Sequence, residues 1–338
     1  MIFKLIQEIK KYIINNYKII VTFFLFLFIC TIKLPFYINK TGGIIDISDR
    51  IEINEKIDYT GSLNMAYVSS LEATIPSIIL AYFNPKWDIL TMEEEIGNES
   101  EENAKFRNKI ALNESISNAI YIAFKKANKD VLIKKNNLYI TYIYDEAKTN
   151  LKVGDKIIEI ENTKVETKED ASKILQSYNA KDIINIKVIN SDNNIVERQA
   201  TMLEIDGIKV IGIILNNEYE LETYPKINIK FKQSESGPSG GLMMSLEIYS
   251  QLINKDLTNG KKIVGTGTID MYGNVGKIDG VKYKLAAAEK KKADIFFVPK
   301  ENYNEAINEK NKNKYKINII KVNNIDDAIN YLSKIKTD

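Results

Sequence analysis

Ile19 to Ile32 is an apolar run broken only by Thr22, Cys30 and Thr31 and bracketed by Lys18 and Lys33. A helix needs roughly 20 apolar residues to cross a bilayer. Leu34, Phe36 and Tyr37 lengthen the run, and the flanking lysines can extend their amines to the headgroups. The pattern predicts a transmembrane segment over residues 18–37. Lys4, Lys10, Lys11 and Lys18 precede it, which places residues 1–17 in the cytoplasm and the remainder outside. No Ala-x-Ala-like site follows, and Ile29 ahead of Cys30 is too bulky for lipoprotein processing, so an uncleaved signal anchor is expected rather than a removed signal peptide.

Beyond the run the periodicity changes repeatedly. Residues 38–130 read as a connecting region, with short alternating pieces such as Ile51-Glu52-Ile53 and a Pro85/Trp87 stretch. Within it, Ile116, Ala119, Ile120, Ala123 and Phe124 recur at helical spacing, predicting an amphipathic packing helix over about 101–126. In residues 131–205 a Gly154-Asp155 turn leads into a strand ending at Ile160, Lys168–Tyr178 has helical character, and Ile183–Ile189 alternates as a strand. The segment 206–338 carries helix patterns after Ser239 and after Gly280. Together these predict an α+β chain of 338 residues with two folded domains behind a membrane helix.

Composition narrows the chemistry. With 47 basic and 45 acidic residues the net charge is +2, and no Arg-rich cluster supports nucleic-acid binding. The chain contains no histidine, and its one cysteine, Cys30, lies in the apolar run. A Ser-His-Asp triad is therefore impossible, and zinc or copper sites lack their usual ligands. The acidic run Glu93-Glu94-Glu95, with Glu99, Glu101 and Glu102, lacks calcium-loop spacing and reads as a solvated face or helix start. No Gly-x-x-x-x-Gly-Lys-Ser/Thr loop occurs. Neither a metal nor a cofactor is expected.

A nucleophile without imidazole needs another base, and a desolvated lysine is one. Ser239, in Gly237-Pro238-Ser239-Gly240-Gly241, precedes an apolar helix pattern running to Leu252 and Ile253. Helix N-terminal amides favour a developing oxyanion, and Gly237 and Gly240 let a substrate backbone approach. The same five residues also describe a plain turn with a capping serine. In a helix starting near Val281, the residues Val281, Lys284, Leu285 and Ala288 share one apolar face, whereas Lys282 lies toward Glu289. Burial favours a neutral amine, making Lys284 the candidate base and Lys282 its rival. Ser236 and Ser234 are rival nucleophiles.

The segments Gly237-Pro238-Ser239, Gly265-Thr266-Gly267-Thr268-Ile269, Gly273 and Gly276, Gly280 through Ala288, and Phe296-Phe297-Val298-Pro299 resemble, in order and spacing, the proteolytic domain of Lon proteases. That resemblance implies a Ser239–Lys284 dyad with Thr266 holding the lysine amine. It departs at Gly240, where alanine is usual, at Asp279, which replaces a glycine and adds charge beside the base, and at Ser236, often Asp. Residues 131–205 resemble PDZ domains, with Asn137-Leu138-Tyr139-Ile140 in place of the carboxylate loop and none of its glycines. The full order resembles bacterial membrane-anchored Lon-like peptidases. It implies an ATP-independent serine endopeptidase acting on flexible protein or peptide segments, held to membrane lipid by its N-terminal helix, with a ring-like homo-oligomer as a family tendency. The alternative is a catalytically degenerate, membrane-tethered PDZ peptide-binding protein.

Overall fold

The computed structural model describes residues 2–53 and 57–335. Its chain divides into two compact units, Met1–Thr41 with Ser69–Gly97, and Gly42–Val68 with Asn98–Asp338. Helix α1 (Ile2–Thr31) has no buried residue and contains a window of mean hydropathy 2.0, so it is long and apolar enough to cross a membrane. Its limits differ from the expected 18–37. The helix takes in the preceding lysine-containing stretch and stops at Thr31, where the Ile32 N–H closes a last bond to the Phe28 carbonyl. Pro35 supplies no N–H and disfavours helical geometry at Leu34, so strand β1 (Lys33–Asp46) begins there instead.

After β1 come β2 (Ile51–Ile53) and a second long strand, β3 (Ser62–Thr74). Helix α2 (Ile75–Tyr82) starts from a Thr74/Ser77 capping box with a proline in its first turn. Strand β4 (Asp88–Thr91) pairs antiparallel with β1, from Phe36↔Thr91 to Asn39↔Asp88. Ile38, Ala73 and Ala81 form the small core of this unit, with Phe36, Ile78 and Trp87 packed on it. The acidic run opens α3 (Met92–Ile96), where Glu93, Glu94 and Glu95 meet the positive end of the helix dipole. Helix α4 (Glu101–Lys126) is capped by Ser100 and buries Ala119, Ile120, Ala123 and Phe124, as its periodicity predicts.

The next elements are β5 (Asp130–Ile143), β6 (Lys156–Ile160), β7 (Thr163–Lys164), α5 (Lys168–Gln176), β8 (Ile183–Ile189) and β9 (Ile195–Thr201). A hairpin of β10 (Leu203–Ile205) and β11 (Ile208–Val210) leads to β12 (Ile213–Tyr224). Their sheet runs β12-β5-β6-β8-β9 around a core that includes Leu138, Ile140, Ile160, Ile184 and Val188, giving a small α+β domain over the residues expected to be PDZ-like. Gly154, at φ +94°, makes the turn into β6, and buried Asp155 accepts from the Lys152 N–H and from Arg198. Two expectations shift. Asn137–Ile140 is no loop but the middle of β5, where Leu138 faces Asn217 of β12. The sheet also continues past residue 205, because β12 returns as the full-length partner of β5.

Then follow β13 (Ile227–Ile229), α6 (Gly241–Leu252), β14 (Lys262–Gly265), the pair β15 (Thr268–Ile269) and β16 (Val275–Gly276), α7 (Val281–Lys290), β17 (Ile295–Pro299), α8 (Tyr303–Asn313), β18 (Asn318–Val322) and α9 (Ile325–Leu332). Strands β3, β14, β17 and β18 run parallel, with β14 between Ser62–Met65 of β3 and Ile295–Phe297 of β17. Side chains alternate across this sheet. Leu63, Met65, Ile263 and Phe297 share a core with α6, while Ala66, Val264, Phe296 and Val298 share one with Val281, Leu285 and Ala288 of α7. The expected connecting region is thus structural, supplying β3 to the sheet and α4 against α6.

Candidate active site

Four hydrogen bonds to three carbonyls hold the turn bearing Ser239. Gly237, in left-handed conformation at φ +87°, donates its N–H to the Asn108 carbonyl at 3.1 Å. The Pro238 carbonyl accepts from the Ser115 hydroxyl at 2.9 Å. The Ser239 carbonyl accepts from the Gly267 N–H at 2.8 Å and from the Thr266 hydroxyl at 3.1 Å. Asn108 and Ser115 are seven residues apart, hence two turns along one face of α4. The turn is clamped between α4 and the end of β14.

Ser239 itself is half-buried, and Ser234 and Ser236 are exposed. The cap position of α6 belongs to Gly240 and has no side-chain bond, so Ser239 does not serve as the capping serine. Among the first amides of the helix, Gly241 donates to Pro238 and Leu242 to the Gly267 carbonyl. Among the described residues no hydrogen bond takes up the N–H of Ser239 or Gly240. Gly240 is tightly enclosed: a Cβ there would lie 2.6 Å from the Met65 sulfur. Met65 fills the space that a methyl group on residue 240 would occupy.

Helix α7 starts from Gly280, whose φ of +71° and close approach to Val68 both disfavour a side chain. Val281, Lys284, Leu285 and Ala288 are buried together, as the helical spacing predicts. Lys284 is 4% exposed, and burial pushes its amine down to about 8, against the upward pull of the Asp279 and Glu305 carboxylates. The charge at Asp279 therefore acts in the expected direction without overcoming desolvation. Asn302, 1% exposed, accepts from the Ile278 N–H and donates to the Ile278 carbonyl, and it donates to Glu305 at 3.3 Å, fixing the approach to α7. The amine of Lys282 lies 4.9 Å from the centre of the Tyr283 ring.

The Ser239 turn and the start of α7 both lie past the carboxyl end of β14, the side on which α/β folds open their ligand crevices. The Ser239 turn is tied there through Met65, Thr266 and Gly267, and α7 through Val68 and Val264. Thr266 is fully buried, and its hydroxyl proton goes to the Ser239 carbonyl rather than leaving the group free to serve the amine alone. Its oxygen lone pairs can still accept from an amine. Residues 219–334 match the Lon protease (S16) C-terminal proteolytic domain. This Lon-type segment is 33% identical over 94 residues to a Lon protease of Aster yellows witches'-broom phytoplasma, an alignment spanning 28% of this chain and 12% of that protein's length.

Solved PDZ domains are also similar to the chain. That of an SdrC-like protein from Listeria innocua is 23% identical with a TM-score of 0.22, over 23% of this chain and 92% of that one. Its counterpart from Listeria monocytogenes is 20% identical with a TM-score of 0.23, over 25% and 92%. Sequence patterns alone did not identify Ser115, Asn302 or Glu305 as neighbours of the Ser239 turn and of the start of α7. Ser115 carries a weak signal, being a small polar residue on the apolar face of α4. The other two have none.

Proposed function

We propose that the chain is an ATP-independent, membrane-anchored serine endopeptidase in which Ser239 is the nucleophile and Lys284 the general base. The observation that carries the reading is a lysine buried on α7, its amine near 8, at the sheet end that holds the Ser239 turn. Neutral Nζ takes the Ser239 hydroxyl proton as Oγ attacks the peptide carbonyl. The unbonded N–H groups of Ser239 and Gly240 donate to the oxyanion. Protonated Lys284 then returns its proton to the departing amine, and as base again it deprotonates the water that frees the acyl group. Thr266 positions the turn through the Ser239 carbonyl, and Gly237 and Gly240 leave room for a substrate backbone.

In this reading the substrates are flexible or already unfolded segments, which can reach the two residues without ATP-driven unfolding. Helix α1 anchors the chain in the membrane, and the lysines ahead of its apolar half orient the N-terminus to the cytoplasm and the catalytic residues outside. The test is labelling of the full chain with an activity-directed phosphonate. Expected is one adduct on Ser239, lost in both Ser239→Ala and Lys284→Ala together with cleavage of a disordered substrate. Peptide capture by the PDZ-like domain without any adduct would favour the binding-protein alternative and overturn the dyad.

A further inference from the structure

Helix α2 is apolar on both of its faces. One face packs on the small core of its unit through Ile78 and Ala81. On the other, Ile79, Leu80, Tyr82 and Phe83 point into solvent, the two aromatics 79% and 78% exposed with their rings edge to face. A folded chain seldom leaves four large adjacent apolar side chains in water without a partner for them.

We infer that this face of α2 lies in the lipid interface of the same bilayer that α1 enters, as a second, monotopic contact on its outer leaflet. The inference rests on the reading of α1 as a membrane anchor. Both helices belong to one compact unit, and α2 packs against α1. The Lys33–Glu72 ion pair ties the first residue of β1, just past the end of α1, to β3 only three residues ahead of α2. That places α2 where α1 leaves the membrane. No acidic residue occurs between Ala73 and Trp87, and the single charge there is Lys86. Beside it, the Lys40 amine lies 4.6 Å from the centre of the Trp87 ring. Aromatic rings with lysines at the edge of an apolar surface suit the headgroup boundary, where the rings enter the acyl region and the amines meet phosphate. A protein partner would need no such charge bias.

The experiment uses the full chain with Cys30→Ser and Leu80→Cys, carrying an environment-sensitive fluorophore at residue 80, in vesicles of phosphatidylcholine and phosphatidylglycerol. A matched label at Asp192→Cys, in an exposed turn of the PDZ-like domain, is the control. Expected is a blue-shifted label at 80 that loses most of its emission to brominated acyl chains, while the label at 192 keeps its own. Trp87, the sole tryptophan, gives a second reading in the unsubstituted chain and is expected to be quenched by the same lipids. A chain that does not float with vesicles removes the anchor reading and this one with it. A chain that floats with residue 80 as wet as residue 192 overturns this inference alone, as does shielding at 80 that disappears on dilution and marks contact between copies.

Discussion

Lys284→Met separates catalysis from stability. The amine is ordinarily near 10.5 and is pushed to about 8 in the fold by burial. Below pH 8 both folded and unfolded chains hold the proton, and the folded state carries the whole cost of a buried ammonium. From pH 8 to 10.5 the folded chain has released its proton while the unfolded chain keeps it, so stability rises with pH, and above that range the cost is gone. A difference of that size is roughly 3 kcal/mol. Methionine has similar length and no charge, so the variant is expected to be more stable at pH 7 by up to about 3 kcal/mol, falling to about 1 kcal/mol at pH 10. Cleavage is abolished at every pH. Calorimetric melting of the full chain in detergent at the two pH values, beside cleavage of an internally quenched disordered peptide, reads both quantities. An unchanged melting temperature at pH 7 would refute the desolvation argument, and surviving cleavage would refute the role as base.

Cleavage by the unsubstituted protein is expected to rise about tenfold from pH 7 to a plateau above pH 9, since only about a tenth of an amine near 8 is neutral at pH 7. Asp279→Asn and Glu305→Gln each remove a charge that favours the ammonium, so each moves the rise to lower pH and speeds cleavage at pH 7; a shift to higher pH in a pH–kcat/KM profile contradicts this. Ser115→Ala removes the 2.9 Å bond to the Pro238 carbonyl and is expected to cost about 1 kcal/mol of stability and to lower kcat with KM preserved, read by melting and steady-state kinetics. Gly240→Ala sets a methyl 2.6 Å from the Met65 sulfur and is expected to destabilise by about 1–3 kcal/mol, with Met65→Ala in the same chain restoring part of the loss; additive losses in a double-mutant cycle would show that the two do not share this space.

The features readable along the chain are those that depend on neighbours a few residues away. Helical spacing in Val281, Lys284, Leu285 and Ala288 specifies the buried face of α7, and the alternation of Ile183–Ile189 is that of β8. The absence of histidine alone removes the imidazole mechanisms. Pro35 was as legible as these, and its effect on the end of α1 follows from the backbone restraint it imposes. What the tertiary structure decided is every relation across a long stretch of chain. The parallel pairing of β3 with β14 joins segments 200 residues apart, as Ser62↔Lys262 does, and no local periodicity encodes such a partner. The Ser115 contact to Pro238, the carboxylates of Asp279 and Glu305 around Lys284, and the Met65 side chain in the space beside Gly240 arise the same way. A lysine's spacing determines which way it points along its helix. Desolvation depends on atoms from the whole sheet closing over it, and only the folded chain brings those atoms together.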